Sequence, residues 1–320
     1  MAPTEQPQTG TAVQFLTIDA DDAGQRLDNY LLRILRGVPK TRIYRGLRKG
    51  EFRVNKGRVK ADYRLKAGDV LRVPPVRQAE AGTPAPVPGY WVDELSRRIV
   101  YEDEGLLIID KPSGLAVHGG SGLNFGLIEC LRQMRPQDRR LELVHRLDRD
   151  TSGLVMVARK PAVLRELHQL LRSDKVDKRY LALVVGKWPR RMSVVDAPLE
   201  KNVVQSGERM VRVGKEGKRS VTEFAAVERF PRATLIEAKP VTGRTHQIRV
   251  HAQHAGHPLL GDPKYSDPRS EALTVELGLK RLFLHARALS FNLSGAGRIA
   301  VEAPLERALE ETLEKLRKPL

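Results

Sequence analysis

The stretch His145-Arg-Leu-Asp-Arg-Asp-Thr-Ser-Gly153 packs two arginines and two aspartates into five consecutive residues, 146–150. Charge alternation this dense usually lies on a solvated face. Here it is bracketed by two apolar runs, Leu141–Val144 and Leu154–Ala158, that read as buried strands. Asp148 sits between Arg146 and Arg149, and opposite charge within a few ångströms favours the ionised form of a carboxylate. An ionised, positioned carboxylate can act as a nucleophile or as a general base. The same residues also suit an Arg–Asp bridge that pins a strand end, and the stretch alone does not choose between the two.

Two further segments carry residues of chemical interest. In Lys178-Arg-Tyr-Leu-Ala-Leu-Val-Val-Gly186, Tyr180 opens an apolar strand behind two cations. Its ring could line the mouth of a pocket or sit in the core. The segment Pro240–Asp262 holds Arg244 and Arg249 together with His246, His251, His254 and His257. Arginine is suited to pairing a carboxylate or phosphate through two parallel hydrogen bonds. The histidine spacing does not turn all four toward one helix face, and no cysteine or glutamate ligand set accompanies it, so no metal site is expected. Neither a G-x-x-x-x-G-K-[ST] loop nor a G-x-G-x-x-G turn is present, so no nucleotide cofactor is expected.

These segments must be positioned by a chain of 320 residues, long enough for two domains. Its formal net charge of +17 is concentrated: residues 26–77 hold 16 Lys/Arg against 4 Asp/Glu, a net +12. Such a block is the electrostatic footprint of a polyanion-binding module. Within it, Leu27, Tyr30, Leu31, Ile34 and Leu35 recur on one helical face, and Ile43 with Leu47 mark a second helix. That second helix and the turn after it carry Lys40, Arg42, Arg45, Arg48, Lys49, Arg53 and Lys56, the candidate RNA-contacting cations. Strand-like segments at 11–19, 52–60 and 70–73 complete a small α+β unit.

Residues 78–90, rich in Pro, Ala and Gly, read as a semi-stiff linker after a first domain spanning 1–77. Residues 91–320 read as one larger domain. Its short apolar runs (106–109, 141–144, 154–158, 180–185, 234–238, 282–284) alternate with helical patterns, including Leu127/Ile128/Leu131/Met134, Leu164/Leu167/Leu171 and Leu305/Leu309/Leu313/Leu316. A mixed α+β architecture with a largely antiparallel sheet follows. The single Cys130 fits a reducing compartment. No window approaches 18 apolar residues, and the polar first ten residues lack the order of a signal peptide. A cytoplasmic monomer is expected, with no membrane partner.

RLDNYL, TRIYRGLRKGEFRVNKGRVK and LKAGDVLRV, spread over residues 26–73, resemble an S4-type RNA-binding domain. YEDEGLLIIDKPSGLAVHGGSG, HRLDRDTSG, KRYLALV and VTGRTHQIRVHAQHAGHPLLGD occur in that order and closely resemble the RluA family of pseudouridine synthases. The resemblance implies site-specific isomerisation of uridine to pseudouridine without a cofactor. It further implies that Asp148 is the catalytic aspartate and that Arg146 fills the space left by the flipped-out nucleotide. Tyr180 then stacks on the target uracil, and Arg249 pairs with the catalytic carboxylate. The fused S4 domain points to a branch whose partner is 23S ribosomal RNA or the assembling large subunit. Two alternatives stay open: a branch acting on the helix-69 stem-loop or another RNA, and a non-catalytic S4 assembly factor. One departure is visible, Tyr265-Ser266 where the family often has Tyr-Gly.

Overall fold

In a computed structural model, residues 12–20, 22–35, 37–76, 87–119, 125–138, 140–203 and 209–318 are described. The chain divides between Pro86 and Val87 into two compact units. Most of the expected linker, 78–86, lies outside the described residues, and its last two residues already begin a helix.

The first unit runs β1 (Gln14–Thr17), α1 (Leu27–Ile34), α2 (Lys40–Lys49), β2 (Arg53–Val54), β3 (Gly57–Arg58) and β4 (Val70–Val73). Its strands form an antiparallel sheet in the order β1-β4-β2-β3. Leu27, Tyr30, Leu31 and Leu35 from the first helix meet Ile43 and Leu47 from the second over Phe52, Val54, Leu71 and Val73. Burying this apolar face turns the remaining faces of α2 outward, so Lys40, Arg45, Arg48 and Lys49 are exposed, as are Arg53 and Lys56 beyond it. Arg42 differs: it is partly buried and pairs with Glu51 at 2.6 Å, which satisfies part of its charge within the protein. Gly50 ends α2 at φ +69°, the left-handed turn that lets the last carbonyls find partners.

The second unit begins with α3 (Gly89–Ser96), β5 (Ile99–Glu102), β6 (Leu106–Lys111), α4 (Leu127–Met134), β7 (Glu142–Leu143), β8 (Ser152–Ala158) and α5 (Pro161–Arg172). It continues through β9 (Asp177–Val185), β10 (Val194–Asp196), β11 (Leu199–Val203), β12 (Arg209–Val213), β13 (Val221–Arg229) and β14 (Ala233–Pro240). It closes with α6 (Gln247–His254), α7 (Pro268–Leu277), β15 (Leu284–Leu293), β16 (Gly297–Glu302) and α8 (Arg307–Arg317). A ten-stranded sheet runs β10-β13-β14-β9-β15-β8-β6-β5, with β16 beside β15 and β7 beside β8. β11 and β12 form a separate hairpin.

The apolar runs are unbroken where both sheet faces are covered. On β6 and β8, Leu107, Ile109, Val155 and Val157 face α3 and α4, whereas Leu106, Ile108, Leu154 and Met156 share the opposite core with Leu167 of α5. On β9, Leu181, Leu183 and Val185 meet α7 and α8, while Ala182 and Val184 meet Ile248 and Ala252 of α6. Not every apolar run is a strand. Only Glu142 and Leu143 of the 141–144 run form a strand, although Val144 N–H also donates to the Met156 carbonyl, and β15 starts at the last residue of the 282–284 run. Conversely, polar residues interrupt β15 throughout, and the short Phe224–Val227 run of β13 is mostly exposed, because part of one face of each strand is open.

Among the described residues, all the strand pairs are antiparallel except one. β15 and β8 run parallel, with His285 opposite Ser152 and Ala286 opposite Gly153. This junction lies immediately after the charged stretch and fixes where that stretch ends. Gly153 adopts φ +107°, and a Cβ there would stand 2.3 Å from the Ala286 carbonyl oxygen and 2.6 Å from its nitrogen. Both partners are backbone, so neither can move aside alone. Gly153→Ala is therefore expected to lower unfolding stability by several kcal/mol. Urea denaturation checks this, and a change under about 0.5 kcal/mol would contradict the packing.

Candidate active site

The charged stretch is a loop between β7 and β8, and its shape is imposed from beneath. Leu147 is buried in the core shared by α3 and α4, so Arg146 and Asp148 on either side of it point outward. The turn after β6 clamps the same loop through its backbone. Fully buried Lys111 donates to the carbonyls of Pro112 and Leu115 at 2.8 Å and of Arg149 at 3.1 Å. Gly114 N–H also donates to the Arg149 carbonyl, and Ser113 Oγ donates to that of Asp150. Burial pulls the Lys111 pKa down to about 7, opposed by nearby Glu306. Its three carbonyl acceptors match the three protons of an ammonium group.

Asp148 opens onto a cleft of about 760 Å³ also lined by Arg146, Tyr180, His246 and Arg249. The four residues singled out for chemistry thus meet in one place, although Arg249 is a hundred residues downstream of Asp148. Arg249 lies in the first turn of α6, is almost fully buried, and sits 3.7 Å from Asp148 Oδ2 through Nη1. Its main partner, however, is Asp262. Nε and Nη2 donate to the two Asp262 oxygens at 2.7 and 2.6 Å, and the guanidinium lies over the Tyr265 ring at 4.9 Å. Asp262 also accepts from the backbone N–H of Lys264 and Tyr265, which holds it in place. Arg249 is therefore fixed by Asp262 and presents its remaining nitrogen to Asp148.

The neighbouring arginines do not act as expected from proximity in sequence. Arg149 turns toward Asp150, Nε donating at 3.1 Å. Arg146 is exposed on the cleft and, among the described residues, makes no side-chain ion pair. The groups that approach the Asp148 carboxylate are Arg249 and His246, the latter 3.8 Å away through Nε2. His246 caps α6 in the left-handed region at φ +55°, a strained position for a side chain larger than glycine. Its Nδ1 is 2.7 Å from the Tyr265 hydroxyl, which accepts the Val211 N–H at 3.0 Å. Tyr265 is buried, and its hydroxyl bridges His246 to the backbone of β12, which fixes the imidazole with Nε2 toward Asp148. Burial lowers the His246 pKa against the opposing pull of Asp148.

Tyr180 sits on β9 opposite Ala238 and Ala286, two small side chains that leave its ring room. Burial first, then the Asp148 charge, raises its pKa well above that of a free phenol, so the ring stays neutral. Of the other histidines of the segment, His254 is exposed and the remaining two are taken up in packing. His251 meets Thr222 Oγ1 and the Ala197 carbonyl, and His257 Nδ1 meets the Val185 carbonyl. Sequence reasoning assigned no role to Lys111, His246, Asp262 or Tyr265. A lysine closing a fully apolar run, and an aspartate following His-Pro-Leu-Leu-Gly, were the available signals.

This geometry has known counterparts. The profile of the RNA pseudouridylate synthases matches residues 105–254, which contain Asp148, Tyr180 and Arg249, and the S4 domain profile matches residues 25–71. The chain belongs to the RNA pseudouridylate synthase family and is an enzyme of that class. It is 55% identical over 308 residues to the ribosomal large subunit pseudouridine synthase C of Pasteurella multocida, covering 96% of this chain and 94% of that one. The protein of that name from Escherichia coli K12 is 54% identical over 310 residues, with 96% and 97% coverage. Among solved structures, human RNA pseudouridylate synthase domain containing 4 superimposes with a TM-score of 0.59 at 28% identity, covering 71% of this chain and 96% of that chain.

Removing Asp262 would leave the Arg249 cation buried with only the more distant Asp148. Breaking a buried pair from one side costs about 3–5 kcal/mol. Asp262→Ala is expected to lower stability by that amount in urea titration; a loss below about 1 kcal/mol would show that the pair does not anchor Arg249.

Proposed function

We propose that this protein isomerises specific uridines to pseudouridine in large-subunit ribosomal RNA, in the cytoplasm, acting as a monomer. The observation that carries the reading is the convergence of Asp148, Tyr180 and Arg249 on one cleft, in a chain similar over nearly its whole length to synthases named for that RNA. The isomerisation breaks the N1–C1′ glycosidic bond, turns the uracil while it is held, and joins C5 to C1′. N1 gains a proton and C5 loses one, so the conversion is redox-neutral.

Each group has a part in this. The target must leave the helical stack, since its glycosidic carbon is inaccessible inside it. Arg146, exposed at the cleft edge, takes the vacated place. The flat, neutral Tyr180 ring stacks on the uracil, an interaction of roughly 1–3 kcal/mol per base. Asp148 acts on the uracil ring or the ribose as nucleophile or base, and every one of these routes needs its carboxylate ionised. Arg249, held by Asp262, places a positive charge 3.7 Å from that carboxylate. The exposed cations of α2, Arg45, Arg48 and Lys49, hold RNA phosphates.

Asp148→Asn keeps the shape of the site and removes its charge. RNA affinity close to wild type with no detectable pseudouridine is expected; product forming at the wild-type rate would remove Asp148 from the chemistry. Pseudouridine mapping in a deletion strain then assigns the targets. Loss confined to the helix-69 stem-loop, or to another RNA, would overturn the target proposed here. Replacing Arg45, Arg48 and Lys49 together by Gln should flatten the dependence of log K on log salt by about 2 units, at roughly 0.7–0.9 for each phosphate that the protein no longer neutralises. An unchanged slope would show that α2 is not the docking surface.

A further inference from the structure

The cleft carries more positive charge than its carboxylate uses. Arg146, Arg172, Lys178, Arg244 and Arg249 line it, against the single acid Asp148. Arg249 is already paired with Asp262, and Arg244 Nε donates to the Arg219 carbonyl. Lys178 and Arg172 differ: among the described residues neither side chain makes a hydrogen bond or an ion pair. Lys178 is nonetheless partly buried. Burial lowers its pKa, with Asp174 and Asp177 near enough to offset part of that but not within ion-pair distance. An ammonium withdrawn from water without an acceptor is unfavourable unless something else supplies the acceptor.

Position says what that acceptor is. Lys178 and Tyr180 are two residues apart on β9, so their side chains share the face that meets α6, about 7 Å apart along the strand. Arg172 ends α5 one turn beyond His168, and both reach the same cleft. His145 marks this end of the site: burial, then Lys178 and later His168, pulls its pKa down to about 4, so it adds no competing charge of its own. A base stacked on Tyr180 therefore has cations beside it on the strand, one nucleotide step from the reacting ring.

We propose that Lys178, with Arg172 beside it, forms a phosphodiester-binding subsite that holds a backbone phosphate flanking the flipped uridine. The subsite orients the strand so that the ribose of the target meets Asp148, and it rests on the reading of the substrate as RNA. The test uses full-length protein and an RNA substrate in which the phosphate 5′ or 3′ of the target uridine is replaced, one at a time, by an uncharged methylphosphonate. With wild type, one of the two replacements should weaken binding about tenfold, as expected for removing a single charge-assisted hydrogen bond. Lys178→Gln should bind unmodified RNA about tenfold more weakly, with a salt slope lower by about 0.7, and should be indifferent to that same replacement. Lys178→Arg, which keeps the charge, should keep the sensitivity and guards against a folding defect in the Gln variant.

Additive losses in Lys178→Gln, or wild-type affinity unchanged by either replacement, would overturn the subsite. If unmodified RNA yields no pseudouridine with wild type, the functional reading itself fails. Product with additive losses sinks only the subsite.

Discussion

A buried arginine between two carboxylates is the constraint on which the site depends. Arg249 is almost wholly shielded from water, and a guanidinium in that position is tolerable only if its donors are met. Asp262 meets two of them in the bidentate geometry that makes such pairs strong. Asp262 is in turn fixed by two backbone N–H groups, and Tyr265 lies under the guanidinium plane. What remains of Arg249 is one nitrogen aimed at Asp148. The cation that faces Asp148 is thereby placed by a second carboxylate, Asp262, that does not line the cleft.

The carboxylate itself is held from the other side. Lys111 and Ser113 grip the carbonyls of the turn that contains Asp148, so loop geometry is set by backbone bonds rather than by the Asp148 side chain. Leu147 anchors the loop into the core. Ser152 and His285 bond at 2.9 Å where the parallel pair of strands begins, closing the loop at its far end. The Asp148 side chain is in this way positioned through its backbone neighbours. Tyr265 joins the two halves, hydrogen-bonding His246 and stacking on Arg249. Its partner in sequence, Ser266, bonds Glu271 at the surface and does not enter the site.

Much of this was legible before folding. The helices of the basic unit appeared in the spacing of Leu27, Tyr30, Leu31 and Leu35, because an amphipathic helix on a small sheet has one face to bury. The central strands β6, β8 and β9 showed as unbroken apolar runs, because helices cover both of their faces. β13 and β15 were not legible, because polar residues interrupt β15 and the short Phe224–Val227 run of β13, mostly exposed, was not read as a strand. The short β7 was over-read: Leu141–Val144 buries only its two end residues and forms a two-residue strand, because the length of a strand depends on a neighbour that sequence does not name.

The sequence by itself determined the placement of Asp148 in a charged stretch between two apolar runs, the arginines and histidines gathered in Pro240–Asp262, and the concentration of positive charge ahead of residue 77. Residue type, spacing and charge are properties of the chain and survive without coordinates. Only the tertiary structure decided the partners. Local reasoning assigned Asp148 to Arg146 and Arg149, whereas folding turned Arg149 toward Asp150 and brought Arg249 and His246 to the carboxylate. It also gave Arg249 to Asp262 and put Lys111 beneath the loop. Pairing energy depends on distance and burial in space, and neither is a function of separation along the chain.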